Sequence, residues 1–186
     1  MQRSQVWRAG AAALALVTAA TWVWAAGAAG FDQVSKRNLS YTSSTAFPAD
    51  SPQLTVDRAQ NRITLSSAGP ADLTFLAGPQ AKMMSFQVGT LTNPEIRVPK
   101  GATLTLTVIN VDDDMVHDLY LMGQAPPYAR SVGASATGSA ILKPYKGQRY
   151  SATQLVVKAT QAGVSYYVCT VPGHAKAGMY GKIVVE

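Results

Sequence analysis

Apolar and polar positions alternate along most of the chain beyond residue 52, and clusters of turn residues separate the alternating segments. In segment 103–110, Leu104, Leu106 and Val108 alternate with polar residues, which is typical of a strand that buries one face. No stretch of ten or more residues after the first 30 shows the spacing of an amphipathic helix. The pattern predicts an all-β protein, and the short intervals between strands favour a Greek-key β-sandwich.

Three segments predict particular strand arrangements. Alternation on both sides of a polar turn in segment 54–65 predicts a hairpin. Segment 95–110 contains two apolar runs, and Pro99-Lys100-Gly101 predicts a turn between two strands. Near the C-terminus, segment 164–185 predicts a closing hairpin whose connection contains Pro172-Gly173.

The first 28 residues differ in composition from the rest of the chain. Arg3 and Arg8 precede an uncharged, Ala-rich apolar run, and Ala26-Gly27-Ala28 offers the small residues of a cleavage site. This composition predicts a secretory signal peptide. The alternative is an uncleaved membrane anchor, because the uncharged run is long enough to cross a bilayer core of about 30 Å.

The remaining chain divides into two parts by composition. Residues 29–52 are rich in Ser, Thr, Asn and Ala and lack an apolar period, so we predict a flexible N-terminal arm or linker. Residues 53–186 contain the predicted strands and form the predicted folded domain.

Charge and cysteine content exclude some classes of function. The chain has 16 Lys and Arg against 10 Asp and Glu, a formal net charge of +6. The basic residues are scattered, without blocks or interleaved aromatics, so nucleic-acid binding is not expected. The single cysteine, Cys169, has no partner for an intramolecular disulfide. In an exported chain it is therefore a reactive thiol, an intermolecular bridge or a metal ligand.

The loop of the predicted closing hairpin carries three candidate metal ligands. Cys169, His174 and Met179 lie there at equal spacing. Thiolate and thioether suit the soft cuprous ion, and imidazole binds copper in both oxidation states. A trigonal site of one cysteine and two histidines, with a weak axial methionine, requires a further histidine. The chain contains one more, His117, so the residues indicate a copper site.

Other interpretations of these residues remain. Taken alone, His117 is an ordinary loop histidine beside acidic residues, and it needs the fold to bring it to Cys169. A second copper centre, as in copper enzymes, requires further histidines, and a Cys–His hydrolase requires a group that orients the base. We therefore expect no enzyme. Copper transport or storage without electron transfer stays as an alternative.

The closing segment Tyr166–Val185 resembles that of the rusticyanin-like type 1 blue copper proteins of the cupredoxin family, and it is also similar to the sulfocyanins. The resemblance covers roughly residues 54–186 and includes four upstream segments in the same order: Ser85–Val88, Asn93–Ile96, Pro99–Thr103 and Pro126–Ala129. It implies a cupredoxin-like β-sandwich. It also implies the ligand set of one type 1 copper: His117, Cys169 and His174 in the trigonal plane, and Met179 in the axial position.

The resemblance further implies a monomeric one-electron carrier in an exported respiratory chain, with iron oxidation as a candidate pathway. A c-type cytochrome or a terminal oxidase is the expected redox partner, and the periplasm is the expected compartment. A membrane location is expected only if the N-terminal segment is retained. In such carriers the closing-loop histidine reaches the surface through an apolar patch, for which this chain offers Pro126, Pro127, Tyr128, Pro172, Ala175 and Ala177.

One position departs from the family pattern. Asp118 directly follows His117, where a small neutral residue is usual, and it belongs to an acidic stretch that includes segment 112–114. A carboxylate near copper favours the dipositive ion. We therefore expect Asp118 to lower the reduction potential.

Overall fold

The structure is a computed structural model that describes residues 30–186, so the predicted leader lies outside the described residues. Within these residues the chain forms twelve strands: β1 Phe31–Thr42, β2 Leu54–Asp57, β3 Arg62–Leu65, β4 Pro70–Ala77, β5 Phe86–Val88, β6 Leu91–Thr92, β7 Glu95–Val98, β8 Thr103–Asn110, β9 Tyr120–Met122, β10 Arg149–Ala159, β11 Gly163–Val168 and β12 Tyr180–Val185. A single 3-10 turn, Gln80–Lys82, is the helical element in this part of the chain. No helix in residues 30–186 has the length and apolar character needed to cross a membrane.

The strands form two six-stranded mixed sheets, which confirms the all-β sandwich. The first sheet has the order β1-β10-β8-β4-β5-β6, and the second has the order β2-β3-β7-β12-β11-β9. The predicted hairpins β2–β3 and β11–β12 are both antiparallel pairs. The predicted strands β7 and β8 also form, but they lie in different sheets, so the Pro99-Lys100-Gly101 turn carries the chain across the sandwich.

Alternating side chains form the core between the sheets, as the sequence pattern predicts. Leu104, Leu106 and Val108 of β8 are fully buried. Phe75 and Phe86 of the first sheet meet Tyr167 of the second edge to face, with ring centroids 5.1 and 5.7 Å from that of Tyr167, and the two phenylalanine centroids lie 6.2 Å apart. Such edge-to-face pairs add to the stabilisation from apolar burial. Tyr167 lies near the end of β11, two residues before Cys169, so its ring connects the core to that end of the strand.

Residues 31–42 differ from the prediction of a flexible arm over 29–52. They form β1, a 12-residue edge strand that pairs antiparallel with β10 along its whole length. Phe31 is buried at the start of the strand, while most other β1 side chains are exposed. An edge strand with few buried side chains has little apolar periodicity. The sequence therefore gives no clear signal for β1, which is held by backbone pairing with β10.

One carboxylate on the second sheet forms ion pairs with three basic side chains. Glu95 of β7 accepts hydrogen bonds from Arg62 and Lys182 at 3.0 Å and from Arg97 at 2.7 Å. Burial opposes ionisation of this side chain, but the bonds from Lys182 and Arg97 outweigh it and lower the pKa of Glu95 to about 2. The cluster therefore stabilises the fold only while Glu95 is ionised.

We expect Glu95→Gln to lower the free energy of unfolding by about 1–2 kcal/mol at pH 7, discounted for the partly exposed cations. Since the pKa of Glu95 falls from 4.5 to about 2 on folding, its contribution is complete above pH 4.5. The difference from wild type should therefore shrink as the pH falls from 4.5 towards 2. Denaturant unfolding across this range measures it, with Asp113→Asn, an exposed acid, as the control. A difference that is independent of pH contradicts the expectation.

Candidate metal centre

Connections at one end of the sandwich carry the predicted ligands. His117 lies on the connection from β8 to β9 and forms an isolated antiparallel bridge with Leu142. Cys169 directly follows β11, and Met179 directly precedes β12. His174 lies between them, in the turns of the closing loop. The structure therefore brings the distant His117 connection to the closing hairpin, as the copper interpretation requires.

Three donor atoms converge in a small triangle. His117 Nδ1 lies 3.2 Å from His174 Nδ1, and Cys169 Sγ lies 3.4 Å from His174 Nδ1 and 3.9 Å from His117 Nδ1. All three side chains are buried. One first-row metal ion, bonded to nitrogen or sulfur at about 2.0–2.3 Å, spans atoms at such separations. The triangle fits a single metal ion with a soft thiolate and two imidazoles as ligands.

The two imidazoles are in the protonation state that binds a metal ion, whereas the thiol of Cys169 must first lose its proton. Burial lowers the pKa of His117 and of His174, so both rings are neutral at pH 7 and offer lone pairs. Burial, together with the charge of Asp118, raises the pKa of Cys169 to about 12. A metal ion must therefore displace the thiol proton when it binds.

Met179 is fully buried beside the triangle. The Cys169 N–H donates to the Met179 carbonyl at 3.1 Å, and the Met179 N–H donates to the His174 carbonyl at 3.0 Å. These bonds join the three candidate ligands of the closing loop through their backbones. The thioether as the axial ligand stays a prediction.

Two polar side chains attach the closing loop to the rest of the sandwich. Asp118 is buried, and its carboxylate accepts from the Thr170 N–H at 2.5 Å and from the Thr170 hydroxyl at 2.6 Å. Asn93 has a positive φ of 46° and donates through its side-chain amide to the Gly178 carbonyl at 2.9 Å. The sequence singled out Asp118 for its charge, but nothing in the sequence indicated the bond to Thr170.

A second buried acid contacts the ring of His117. The Asp112 carboxylate lies 3.1 Å from His117 Nε2, and both side chains are fully buried. Burial opposes ionisation of Asp112, but the backbone N–H groups of Met115 and Asp114, together with His117, lower its pKa. The sequence placed Asp112 in an acidic stretch without a partner, because three adjacent aspartates carry no signal of which one turns inward.

The predicted apolar patch near His174 is divided between surface and core. Pro127, Pro172 and Ala177 are exposed, whereas Tyr128 and Ala175 are buried in a small cluster with Met122 and Val168. The Gly173 N–H donates to the Arg130 carbonyl at 2.7 Å and joins the two segments. The His174 side chain lies beneath this surface and is 6% exposed.

A β-sandwich with two histidines and one cysteine converging at one end is a cupredoxin with a type 1 copper site. Residues 74–186, more than half of the chain, match the family described as copper binding proteins of the plastocyanin/azurin family. The chain belongs to this family, and its cofactor is copper.

Within the family, the chain is similar to rusticyanin. It is 36% identical over 104 residues to rusticyanin of Acidithiobacillus ferrooxidans and, to the same extent, to rusticyanin of Acidithiobacillus ferridurans. Each match covers 55% of this chain and 55% of the relative, so the match spans about half the length of both.

The similarity extends to solved structures. A structure of rusticyanin from Thiobacillus ferrooxidans superposes with a TM-score of 0.66 at 29% identity, covering 72% of this chain and 86% of that chain. A structure of reduced rusticyanin superposes with a TM-score of 0.70 at 27% identity, covering 81% of this chain and all of the other. The predicted rusticyanin-like fold is therefore confirmed.

We expect Asp118→Asn to raise the reduction potential at neutral pH by roughly 60 mV, equivalent to a tenfold change in the affinity ratio of the two copper states. The carboxylate is 2% exposed, so water screens its charge weakly. Asn preserves an acceptor for the Thr170 N–H, and its NH2 can donate to the Thr170 hydroxyl, which accepts as well as donates, so both contacts remain when the charge is removed. Protein-film voltammetry measures the shift, and Asp114→Asn is the exposed-acid control. Equal potentials for the two variants contradict the expectation.

Proposed function

We propose that this chain is a one-electron carrier of an exported respiratory electron-transfer chain. The observation that carries the proposal is the buried triangle of His117, Cys169 and His174 at one end of a β-sandwich. Bound copper supplies a Cu(I)/Cu(II) couple within a ligand set that suits both oxidation states.

The protein favours electron transfer because hydrogen bonds outside the ligand side chains hold the ligand segments in place. Backbone bonds to Leu142 fix the His117 segment at 2.7 and 3.2 Å. Asp118 attaches the residue after Cys169, and Asn93 attaches the residue before Met179. A site that is held in place reorganises little when the charge on the metal changes, which favours fast transfer and not the release of a cargo ion.

The surface above His174 is the proposed docking area for a redox partner. Its exposed apolar residues are Pro127, Pro172 and Ala177, and Arg130 and Lys176 are exposed beside them. A small apolar area with a few charges at its edge suits a transient complex, because redox partners bury little surface. A c-type cytochrome or a terminal oxidase is the proposed partner, and iron oxidation is the candidate pathway that the family resemblance implies.

The pairing of β1 shows at which end of the sandwich the described chain enters the domain. Phe31, at the start of β1, pairs with Ala159, whereas Thr42 pairs with Arg149. The far end of β10, near Ala152, pairs with Ile109 at the copper end of the sandwich. Eleven residue steps separate the ends of β1, or about 36 Å. The chain therefore enters the domain at the pole opposite the copper site.

This placement suits either fate of the leader. If residues 1–28 remain as a membrane anchor on the outer face of the inner membrane, the docking area points towards soluble partners. If they are cleaved, the domain is free in the periplasm. Mass spectrometry of the protein from periplasmic, membrane and cytoplasmic fractions distinguishes the two, and recovery of the full-length protein only in the cytoplasm overturns the proposed export.

The proposed electron-transfer function is tested by spectrum and voltammetry of the copper-loaded protein. We expect intense visible absorption from thiolate-to-Cu(II) charge transfer and a reversible one-electron couple. The zinc-loaded protein is the control and should show neither. A coloured protein without a reversible couple favours copper transport or storage, and a colourless copper complex overturns the type 1 site.

A further inference from the structure

The two ring nitrogens of His117 face different surroundings. Nδ1 points into the ligand triangle, 3.2 Å from His174 Nδ1, while Nε2 lies 3.1 Å from the Asp112 carboxylate. Because an ionised carboxylate only accepts hydrogen bonds, Nε2 carries the ring proton. This contact leaves the lone pair of Nδ1 directed at the metal position.

The carboxylate of Asp112 is itself held by the backbone. Its Oδ1 accepts from the N–H groups of Asp114 at 2.8 Å and Met115 at 2.9 Å, which leaves Oδ2 for His117. The Asp112 N–H donates to the Asn110 side chain at 2.9 Å, and the Asp112 carbonyl accepts from the Tyr145 N–H at 2.7 Å. The bonds to the Asp112 carboxylate and to the Asp112 backbone together fix the side chain in one orientation.

The backbone at Gly78 closes over this pair. Gly78 has a φ of +71°, and a Cβ added there would overlap His117 Nε2 and lie 2.6 Å from the Asp112 Cβ. Only a glycine leaves room for the imidazole and the carboxylate at this distance. The contact is therefore enclosed, and an enclosed charge acts more strongly than an exposed one.

We propose that Asp112 is a positioning residue for copper. Its carboxylate holds His117 with Nδ1 towards the metal, and its enclosed negative charge favours Cu(II) over Cu(I). Groups that act through a ligand in this way commonly change metal affinity by about 10–100-fold. This inference rests on the proposed copper site and adds a second acid, distinct from Asp118, that sets its potential.

The neighbouring acids provide a matched comparison. Asp113 is exposed, so water screens its charge, and it lies next to Asp112 in the same loop. Asp112→Asn removes the charge and keeps Oδ1 for the N–H groups of Asp114 and Met115, so the loop is expected to fold, but its NH2 replaces the oxygen that accepts from His117 Nε2–H. Asp112→Ala removes the charge and both oxygen acceptors. Asp113→Asn is the control.

The test combines two measurements on wild type and the three variants. In Asp112→Asn we expect the visible absorption to persist and the Cu(II)-to-Cu(I) affinity ratio to fall about tenfold, a rise in potential of about 59 mV. In the metal-free wild type, the ¹⁵N chemical shifts of the His117 ring should indicate one tautomer, protonated at Nε2. In metal-free Asp112→Ala they should indicate a mixture of the two tautomers. Asp113→Asn should change neither quantity.

The outcomes separate this inference from the proposed function. The role of Asp112 is overturned, and the copper site is left intact, by three results together. The copper-loaded wild type is blue, Asp112→Asn and Asp113→Asn have the same potential, and Asp112→Ala keeps the Nε2–H tautomer. A colourless copper-loaded wild type overturns the proposed function and, with it, this inference.

Discussion

Replacing Cys169 with Ala is expected to abolish the visible absorption of the copper-loaded protein. The transition requires electron density to move from the thiolate sulfur to Cu(II), and Cys169 is the single cysteine of the chain. Its Sγ lies 3.4 Å from His174 Nδ1 and 3.9 Å from His117 Nδ1 and forms the sulfur corner of the triangle. Titration with Cu(II), followed by absorption, measures the loss.

Met179→Leu is the matched contrast to Cys169→Ala. Both replace a fully buried sulfur-containing residue of the same loop with an aliphatic one. If Met179 is the axial ligand, its variant retains the thiolate absorption and shifts the reduction potential, because a weak axial ligand tunes the potential without carrying the colour. Circular dichroism establishes that both variants fold. Persistence of the full absorption in folded Cys169→Ala would falsify the type 1 assignment.

Gly181→Ala is expected to reduce the free energy of unfolding by about 3 kcal/mol or more, from overpacking and the loss of a buried hydrogen bond. Gly181 of β12 lies opposite Tyr167 of β11, and an added Cβ would overlap the ring and hydroxyl oxygen of Tyr167. The tyrosine cannot move easily, because it is fully buried and its hydroxyl donates to the Pro94 carbonyl at 2.6 Å. Displacing it loses packing against Phe75 and Phe86 as well as a buried hydrogen bond.

Thermal and denaturant unfolding of the metal-free protein measure this effect, with Gly133→Ala as the control. Gly133 has an exposed position, and no atom lies within 4 Å of an added Cβ. Its substitution should stay within about 0.5 kcal/mol of wild type. Similar stabilities for the two alanine variants would mean that Tyr167 adjusts without loss, contrary to the packing argument.

The sequence predicted much of the fold because most strands of this sandwich bury one face and expose the other. Leu104, Leu106 and Val108 show this alternation directly, and the structure buries all three. This alternation is absent from β1, whose side chains are mostly exposed and which is held by backbone pairing with β10. Alternation also cannot show that β7 and β8 lie in different sheets, because a turn of the same composition joins paired and unpaired strands.

The closing loop was the most predictable part of the site. Cys169, His174 and Met179 lie within one connection between two paired strands, so their proximity follows from local geometry. His117 was predicted as the remaining ligand because the site needs a second histidine and the chain has only two. The structure places its side chain close to those of Cys169 and His174.

The sequence by itself therefore determined the types of ligand, the metal that they suit and the β-sandwich that carries them. The tertiary structure decided which of the acids near His117 act on the site. Asp112 and Asp118 turn inwards because backbone N–H groups and His117 or Thr170 satisfy their carboxylates, whereas Asp113 and Asp114 remain in water. Burial of a charge requires such partners, and partners distant in the chain become neighbours only when the two sheets pack together.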